Sequence, residues 1–398
     1  MQDTLLKNTI YKETEVGHIP QDWECVPLIS VINDFLVPMR DKPKVFNGEI
    51  PWCRIEDIEG MYLNDSLSGQ RVSLETIANM KMKVIPKGSL ICSCSARLGV
   101  CAITTNELTT NQTFIALVPG QNIVVEFLYY IMTAYAGKLQ LMASGTTIAY
   151  LSRKQFEQFK IQLPPLKEQQ KIAEILSTVD EQIENTEQLI KKTKELKKGL
   201  MQRLLTKGIG HTKFRQTELG EIPEAWEIID LGNVFKLKSG ENLPAKKIVE
   251  GSYPVYGGNG ITAFHNRYLF ENAMLVIGRV GALCGNIFIT QSRSWITDNA
   301  LYINEKLKEF DDIYFYYLLT ALKLNDFANK NAQPVISGQI IYKIKIALPE
   351  IVEQNKIATI LSSVDEQIES YEQEKEKYKE LKKGLMQQLL TGKIRVSV

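Results

Sequence analysis

The chain is short of histidine. Only His18, His211 and His265 occur in 398 residues, and none has a second histidine or a cysteine pair at metal-ligand spacing. Neither a zinc module nor a repeated histidine acid–base site is therefore expected. Cysteine is sparse and uneven: Cys25, Cys53, Cys92, Cys94 and Cys101 lie in the first half, and Cys284 stands alone in the second. No C-x-x-C spacing occurs. Cys92 and Cys94 alternate within a strand-like run, which predicts reduced thiols packed on one strand face, as in a cytoplasmic protein. No run of about 18 apolar residues is present to cross a membrane. The start, Met1-Gln2-Asp3-Thr4, lacks the basic and apolar regions of a secretory signal. A surplus of positive charge is missing as well, with 47 basic against 46 acidic residues. Phosphate-loop chemistry is not expected, because the nearest approach to a Walker loop, Thr391-Gly392-Lys393-Ile394, fails the pattern. The glycine-rich 257–260 stretch fits no dinucleotide fingerprint. The Pro-Pro-aromatic motif of amino-methylating enzymes and a nuclease carboxylate–lysine cluster are also absent, so catalysis by this chain is not expected.

What is present is a repeat, the feature to look for first. Residues 163–206 align without a gap to 348–391 at an offset of 185, with 31 of 44 positions identical. Upstream, Gly17-His18-Ile19-Pro20-Gln21-Asp22-Trp23 matches Gly220-Glu221-Ile222-Pro223-Glu224-Ala225-Trp226 at an offset of 203. Between these shared ends the two interiors diverge. A duplicated scaffold carrying two different readers has this appearance.

Each long repeat reads as a helix. Proline at 164, 165 and 349 suits a first turn. From there Ile172, Leu176, Val179, Ile183, Thr186 and Ile190 recur at steps of four and three, as do Ile357, Leu361, Val364, Ile368, Tyr371 and, further on, Tyr378. That is a heptad seam. Leu196, Leu200 and Leu204, with Leu381, Leu385 and Leu389, extend the apolar face. Thr186 and Thr193 are small where the second copy has Tyr371 and Tyr378, so antiparallel packing, with Tyr378 opposite Thr186 and Tyr371 opposite Thr193, would fill the seam. Lysines at 191–192, 197–198 and 382–383 flank it as a solvated face, with some available for phosphate or an acidic partner.

The interiors mix strands (88–94, 113–118, 273–277, 285–290, 300–304) with helices at 125–136 and 312–322. Polar turns are the candidate contacts. Ser144, Thr146 and Thr147 precede a short helix that begins at Ser152 and carries Arg153. Asn331 and Gln333 occupy the equivalent place in the second copy, and Gly258 and Asn259 lie in the glycine-rich turn. Arg54, Arg97, Arg267 and Arg279 sit in or beside such turns, and arginine pairs bidentately with guanine or clamps phosphate.

The layout resembles the specificity subunit of type I restriction–modification systems. The resemblance covers essentially the whole chain. It rests on Leu163-Pro164-Pro165-Leu166-Lys167-Glu168-Gln169-Gln170-Lys171-Ile172-Ala173, on Gly199-Leu200-Met201-Gln202-Arg203-Leu204-Leu205-Thr206, on the Gly-x-Ile-Pro-x-x-Trp opening, and on the recurrence of all three. It implies an α+β protein: two mixed α/β target-recognition domains separated by two long antiparallel coiled-coil helices, with an internal pseudo-twofold repeat. The expected divisions are 1–162, 163–208, 209–347 and 348–398. Each domain would read one half of a bipartite, asymmetric site in double-stranded DNA, and the helices would set the interval, about one DNA turn. Two methylation subunits and two restriction/translocase subunits would be the partners, and they would hold the S-adenosylmethionine, ATP and magnesium. No cofactor, metal or catalytic residue is expected in this chain. A coiled-coil adaptor without a DNA role, and a self-contained DNA methyltransferase, are the alternatives. Residues 1–162 carry 15 basic and 16 acidic side chains, and 217–347 carry 13 and 14. Phosphate attraction supplies most non-specific affinity, so the isolated chain is expected to bind DNA weakly.

Overall fold

The computed structural model describes residues 10–38, 41–95, 97–143, 150–329 and 334–397. Two compact units divide the chain, one formed by Met1–Asn185 with Glu374–Val398 and the other by Thr186–Gln373. The division falls inside both long helices. Four helices organise the units: α1 (Val125–Ala134), α2 (Leu166–Lys207), α3 (Asp312–Ala321) and α4 (Ile351–Leu389). No described helix is long and apolar enough to cross a membrane.

The first unit is built on a five-stranded sheet in the spatial order Ile32–Leu36, Phe114–Pro119, Leu90–Ser93, Cys101–Thr104, Tyr62–Leu63. Neighbours are antiparallel except the last pair, which is parallel. Alternation along the strands sorts side chains to two cores. Leu90, Cys92, Ile103, Ile115 and Leu117 face Phe127, Leu128, Tyr130 and Ile131 of the α1 helix. Ile91, Ala102, Phe114 and Ala116 face the opposite way, onto Cys53, Ile55, Leu63 and Ile85. Both faces are covered, which is why these strands read as unbroken apolar runs. Cys92, Cys94 and Cys101 share the α1 side as free thiols, and burial pushes the Cys94 thiol up to about 11.

The second unit has a four-stranded antiparallel sheet in the order Phe235–Ser239, Ala300–Lys306, Leu275–Gly278, Ile287–Ile289. Leu275, Ile277, Ile287 and Leu301 pack on Tyr314, Phe315, Leu318 and Leu319 of α3. Each unit also carries the same hairpin ahead of its sheet, Tyr11–Thr14 with Gly17–Pro20 and Phe214–Thr217 with Gly220–Pro223. A short antiparallel pair then ties the start of each module to its end, Glu24–Pro27 with Lys160–Leu163 and Glu227–Asp230 with Lys345–Leu348.

The repeated motifs have a physical account. In the first unit Glu168, only 2 % exposed, accepts the indole N–H of Trp23 at 2.9 Å. Its neighbour Gln169 accepts the Val124 N–H at 2.9 Å and donates to the Asn122 and Pro164 carbonyls, so it fixes the entry of α1 against the first turn of α2. In the second unit Glu353 accepts from Trp226 at 3.0 Å, and Gln354 bonds the Asp311 N–H and the Pro349 carbonyl. Buried polar side chains must be paired. The Glu-Gln dipeptide therefore requires the tryptophan on one side and the head of a module helix on the other.

A second frame joins three elements in each unit. The Tyr130 hydroxyl of α1 donates to Asp180 of α2 at 2.8 Å, and Asp180 pairs with Lys382 of α4 at 2.5 Å. In the second unit the Tyr317 hydroxyl of α3 donates to Asp365 of α4 at 2.6 Å, and Asp365 pairs with Lys197 of α2 at 2.7 Å. Each aspartate comes from the helix that follows its own module, and each lysine from the other copy. Lys197 and Lys382 are thus in-chain clamps, a correction to their reading as a solvated face. Burial beside each aspartate also raises Tyr130 and Tyr317 well above the usual phenol range.

The helices run antiparallel within each unit. In the second, Lys194 reaches Glu372 at 2.6 Å, so Thr193, buried, stands level with Tyr371 as the size pattern required. In the first, Leu389 and Leu390 join Ile172 and Leu176 in one core. Of the seam residues, Ile172, Leu176, Val179, Thr186, Ile190, Ile357, Leu361, Val364 and Ile368 are buried, whereas Ile183, Tyr371 and Tyr378 are half-buried. Leu196 and Leu381 do not extend the buried face. They occupy equivalent positions and are 54 % and 49 % exposed.

Candidate nucleic-acid interface

Two polar clusters stand on these scaffolds, one in each unit, and they differ in kind. In the first, the turn after the Ile50–Cys53 strand presents Arg54, whose guanidinium lies 5.9 Å from the Trp52 ring. Lys42 approaches the same ring at 5.5 Å, and Phe46 packs on it with centroids 5.4 Å apart. Arg97 donates to the carbonyl of Ile55 at 3.3 Å, so the fold brings Arg54 and Arg97 to adjacent places although 43 residues separate them. The Asp57 carboxylate accepts the Arg54 backbone N–H at 2.6 Å, and the guanidinium itself pairs with Glu56 at 4.0 Å, a largely exposed partner. Cations stacked on an indole and weakly paired are suited to phosphate or to a base face.

In the second unit the turn between the Tyr253–Gly257 and Gly260–His265 strands carries Gly258 and Asn259. Asn286 donates to the Asn259 side chain at 3.3 Å. Arg279 is anchored by its backbone, donating to Asn299 and accepting from Ile336, while among the described residues its guanidinium donates to the Ser239 hydroxyl, at 3.4 Å. Asn259, Arg279 and Asn286 together offer donors and acceptors of the kind that read base edges. Glycine is required beneath them: a Cβ on Gly278 would lie 2.0 Å from the Gly258 carbonyl, and one on Gly258 would lie 2.8 Å from that of Asn299. We expect Gly278→Ala to lift the Asn259 turn from its strand. Amide chemical shifts of 257–260 should move, and a variant with unchanged shifts would contradict this packing.

The remaining candidates are placed elsewhere. Arg153 donates to Glu157 at 2.6 Å and to the Phe35 carbonyl at 3.0 Å, on a helix whose capping box is formed by Ser152 and Gln155. Arg267 is exposed beyond the Gly260–His265 strand. Ser144, Thr146, Thr147, Asn331 and Gln333 lie outside the described residues. Lys42, Ser239, Asn286 and Asn299 were not legible as site residues. Each is an ordinary polar residue in sequence and reaches its cluster only through a loop or a neighbouring strand.

The fold and these surfaces define a class: a duplicated, two-unit protein whose repeated helical frame carries two unlike polar surfaces. The particular family follows from comparison. The model of the type I restriction modification DNA specificity domain matches residues 20–195 and again 223–380, and the chain belongs to that family. It is 30% identical to the putative type I restriction enzyme MjaX specificity subunit of Methanocaldococcus jannaschii, over 98% of both chains. It is 28% identical to the EcoprrI specificity subunit of Escherichia coli, over 89% of this chain and 90% of that one. The crystal structure of the type I S subunit from M. genitalium superposes with a TM-score of 0.61 at 18% identity, covering 94% of this chain and 97% of the other, which supports the shared fold.

Proposed function

We propose that this chain is the DNA-reading subunit of a type I restriction–modification complex, with each unit reading one half of a split site. The observation that carries this is the contrast within one sequence. The Trp–Glu and Tyr–Asp–Lys frames recur residue for residue, while the surfaces they support differ, with stacked cations in one unit and an amide–arginine cluster in the other. Unlike half-sites need unlike readers on a common frame. The shared helices act as the ruler between half-sites, and the equivalent exposed leucines, Leu196 and Leu381, suit a pair of identical partners such as two methylation subunits. Methyl transfer and DNA translocation would then reside in the partner subunits with their S-adenosylmethionine, ATP and magnesium, and this chain supplies sequence choice.

Mapping of methylated bases in the host genome, with and without the gene, tests the reading directly. A bipartite methylated motif should vanish with the gene. Replacement of 217–347 by a foreign module should change one half of the motif only. An unchanged motif in either experiment would refute the proposal. The modules each carry a net charge of −1, so the purified chain alone should bind its target no more tightly than about 10⁻⁶ M at physiological salt, the non-specific range. Fluorescence anisotropy would check this, and nanomolar binding by the pure chain would contradict it.

A further inference from the structure

The two units solve one packing problem differently, and the difference leaves a cavity. Each long helix closes on a left-handed glycine, Gly208 at φ +64° and Gly392 at φ +69°. Three residues later a nitrogen-bearing side chain turns back onto the tryptophan–glutamate pair. In the first unit this is Arg395. Its Nε lies 2.7 Å and its Nη2 2.9 Å from the two Glu168 oxygens, it pairs with Asp22 as well, and its guanidinium lies 5.8 Å from the Trp23 ring. In the second unit it is His211, whose Nε2 lies 2.9 and 3.0 Å from the Glu353 oxygens, with the ring edge-on to Trp226. The residue equivalent to Asp22 is Ala225.

Two coupled reductions, arginine to histidine and aspartate to alanine, empty the place that the guanidinium fills in the first unit. A cavity of about 310 Å³ results, lined by Trp226, His211, Glu353, Ala225, Glu350 and Val352 among others. Its rim has changed in one direction. Glu350 stands where the first copy has Pro165, and the exposed Val352 where it has Lys167, while the rim lysine is common to both as Lys171 and Lys356. Relative to its twin, the site has lost the Arg395 guanidinium and the Lys167 ammonium, exchanged the Asp22 carboxylate for that of Glu350 on the rim, and gained an apolar wall. An indole with buried glutamate behind it is already shown, in the first unit, to seat a guanidinium.

We propose that this cavity receives an arginine side chain from a protein with which the chain assembles, the guanidinium pairing with Glu350 beside the Trp226 indole and its stem lying on Val352 and Ile209, while Glu353, already bonded to the Ile209 N–H, His211 and Trp226, closes the floor. That the host protein is a methylation subunit rests on the specificity-subunit reading; the cavity's preference for a guanidinium does not.

Calorimetric titration of the full chain with N-acetyl-arginine amide, and with the neutral isostere N-acetyl-citrulline amide, tests the preference. Saturable millimolar binding of the arginine probe, at least about tenfold tighter than citrulline, is expected. The double variant A225D/H211R rebuilds the arrangement of the first unit, so it should fold and lose the binding. Glu350→Gln should weaken it while leaving the fold intact. No saturation, equal binding of citrulline, or undiminished binding by A225D/H211R would overturn the proposal. With methylation subunits present, sedimentation should show assembly of A225D/H211R weakened by about tenfold or more, and an unchanged midpoint would overturn the partner's arginine. Failure of the native chain to assemble would instead count against the specificity-subunit reading, and the titration would still decide the cavity.

Discussion

Replacing Glu168 with alanine should destabilise the first unit by about 3 kcal/mol, the lower end of what breaking a buried ion pair costs. The carboxylate is 2 % exposed and holds three donor groups, the indole N–H of Trp23 and two nitrogens of Arg395. Alanine leaves the indole and one face of the guanidinium without acceptors, and buried donors without partners are costly. Asp22 still pairs with Arg395 at 2.7 Å, which keeps the loss from the upper end. Equivalent loss in the second unit, from Glu353→Ala, should be smaller, about 1–2 kcal/mol, because one partner is an imidazole and the carboxylate is more exposed. Urea unfolding followed by amide exchange in each unit would measure both. A change below about 0.5 kcal/mol for Glu168→Ala, the size of an ordinary surface substitution, would show that the glutamate organises nothing. The same clamp adds a pH signature. Hydrogen bonding from Arg395 holds Asp22 below its ordinary value, so its contribution is present above the unfolded carboxylate's pKa and fades as pH falls through the lowered one. Ala225 gives the second unit no counterpart.

Arg279→Ala should cost the assembled complex about 1–3 kcal/mol of affinity, roughly five- to 150-fold, for sites in which the second unit's half is intact. The same variant should discriminate less at one position of that half and be unaffected in the other half. Stability is expected to change by about 0.5 kcal/mol or less, because the backbone anchors at Asn299 and Ile336 survive the substitution and the guanidinium bond to Ser239 is long, at 3.4 Å. Competition binding with sites mutated in one half at a time separates these effects. A uniform loss over all sequences would assign Arg279 to phosphate instead of to a base edge.

Much of this protein was legible before any coordinates. An offset of 185 held over 44 residues, and the 3-4 spacing from Ile172 to Ile190 is a local property of one helix. Both follow from covalent order and helical periodicity, which a sequence displays directly. The core strands could be found because both sheet faces are covered, and continuous apolar runs such as Leu90–Ser93 result. Arg54 and Arg279 were marked as turn arginines for the same local reason.

What tertiary structure alone decided is which groups meet. Lys197 and Lys382 look like solvated charges on a helical face. Each becomes a clamp because antiparallel packing carries it to an aspartate of the other copy, more than 160 residues away in sequence. Leu196 and Leu381 continue the apolar spacing yet stay exposed, because the partner helix does not cover that side. Lys42 reaches Trp52, and Asn286 reaches Asn259, only through loop and strand placement. The aspartate–arginine pair of one unit and the alanine–histidine pair of the other differ by two substitutions that read as drift. Only their common position over a buried tryptophan and glutamate shows that together they open a cavity. Periodicity and propensity are local and travel with the chain, whereas pairing across 100 residues or more depends on how helices and strands pack.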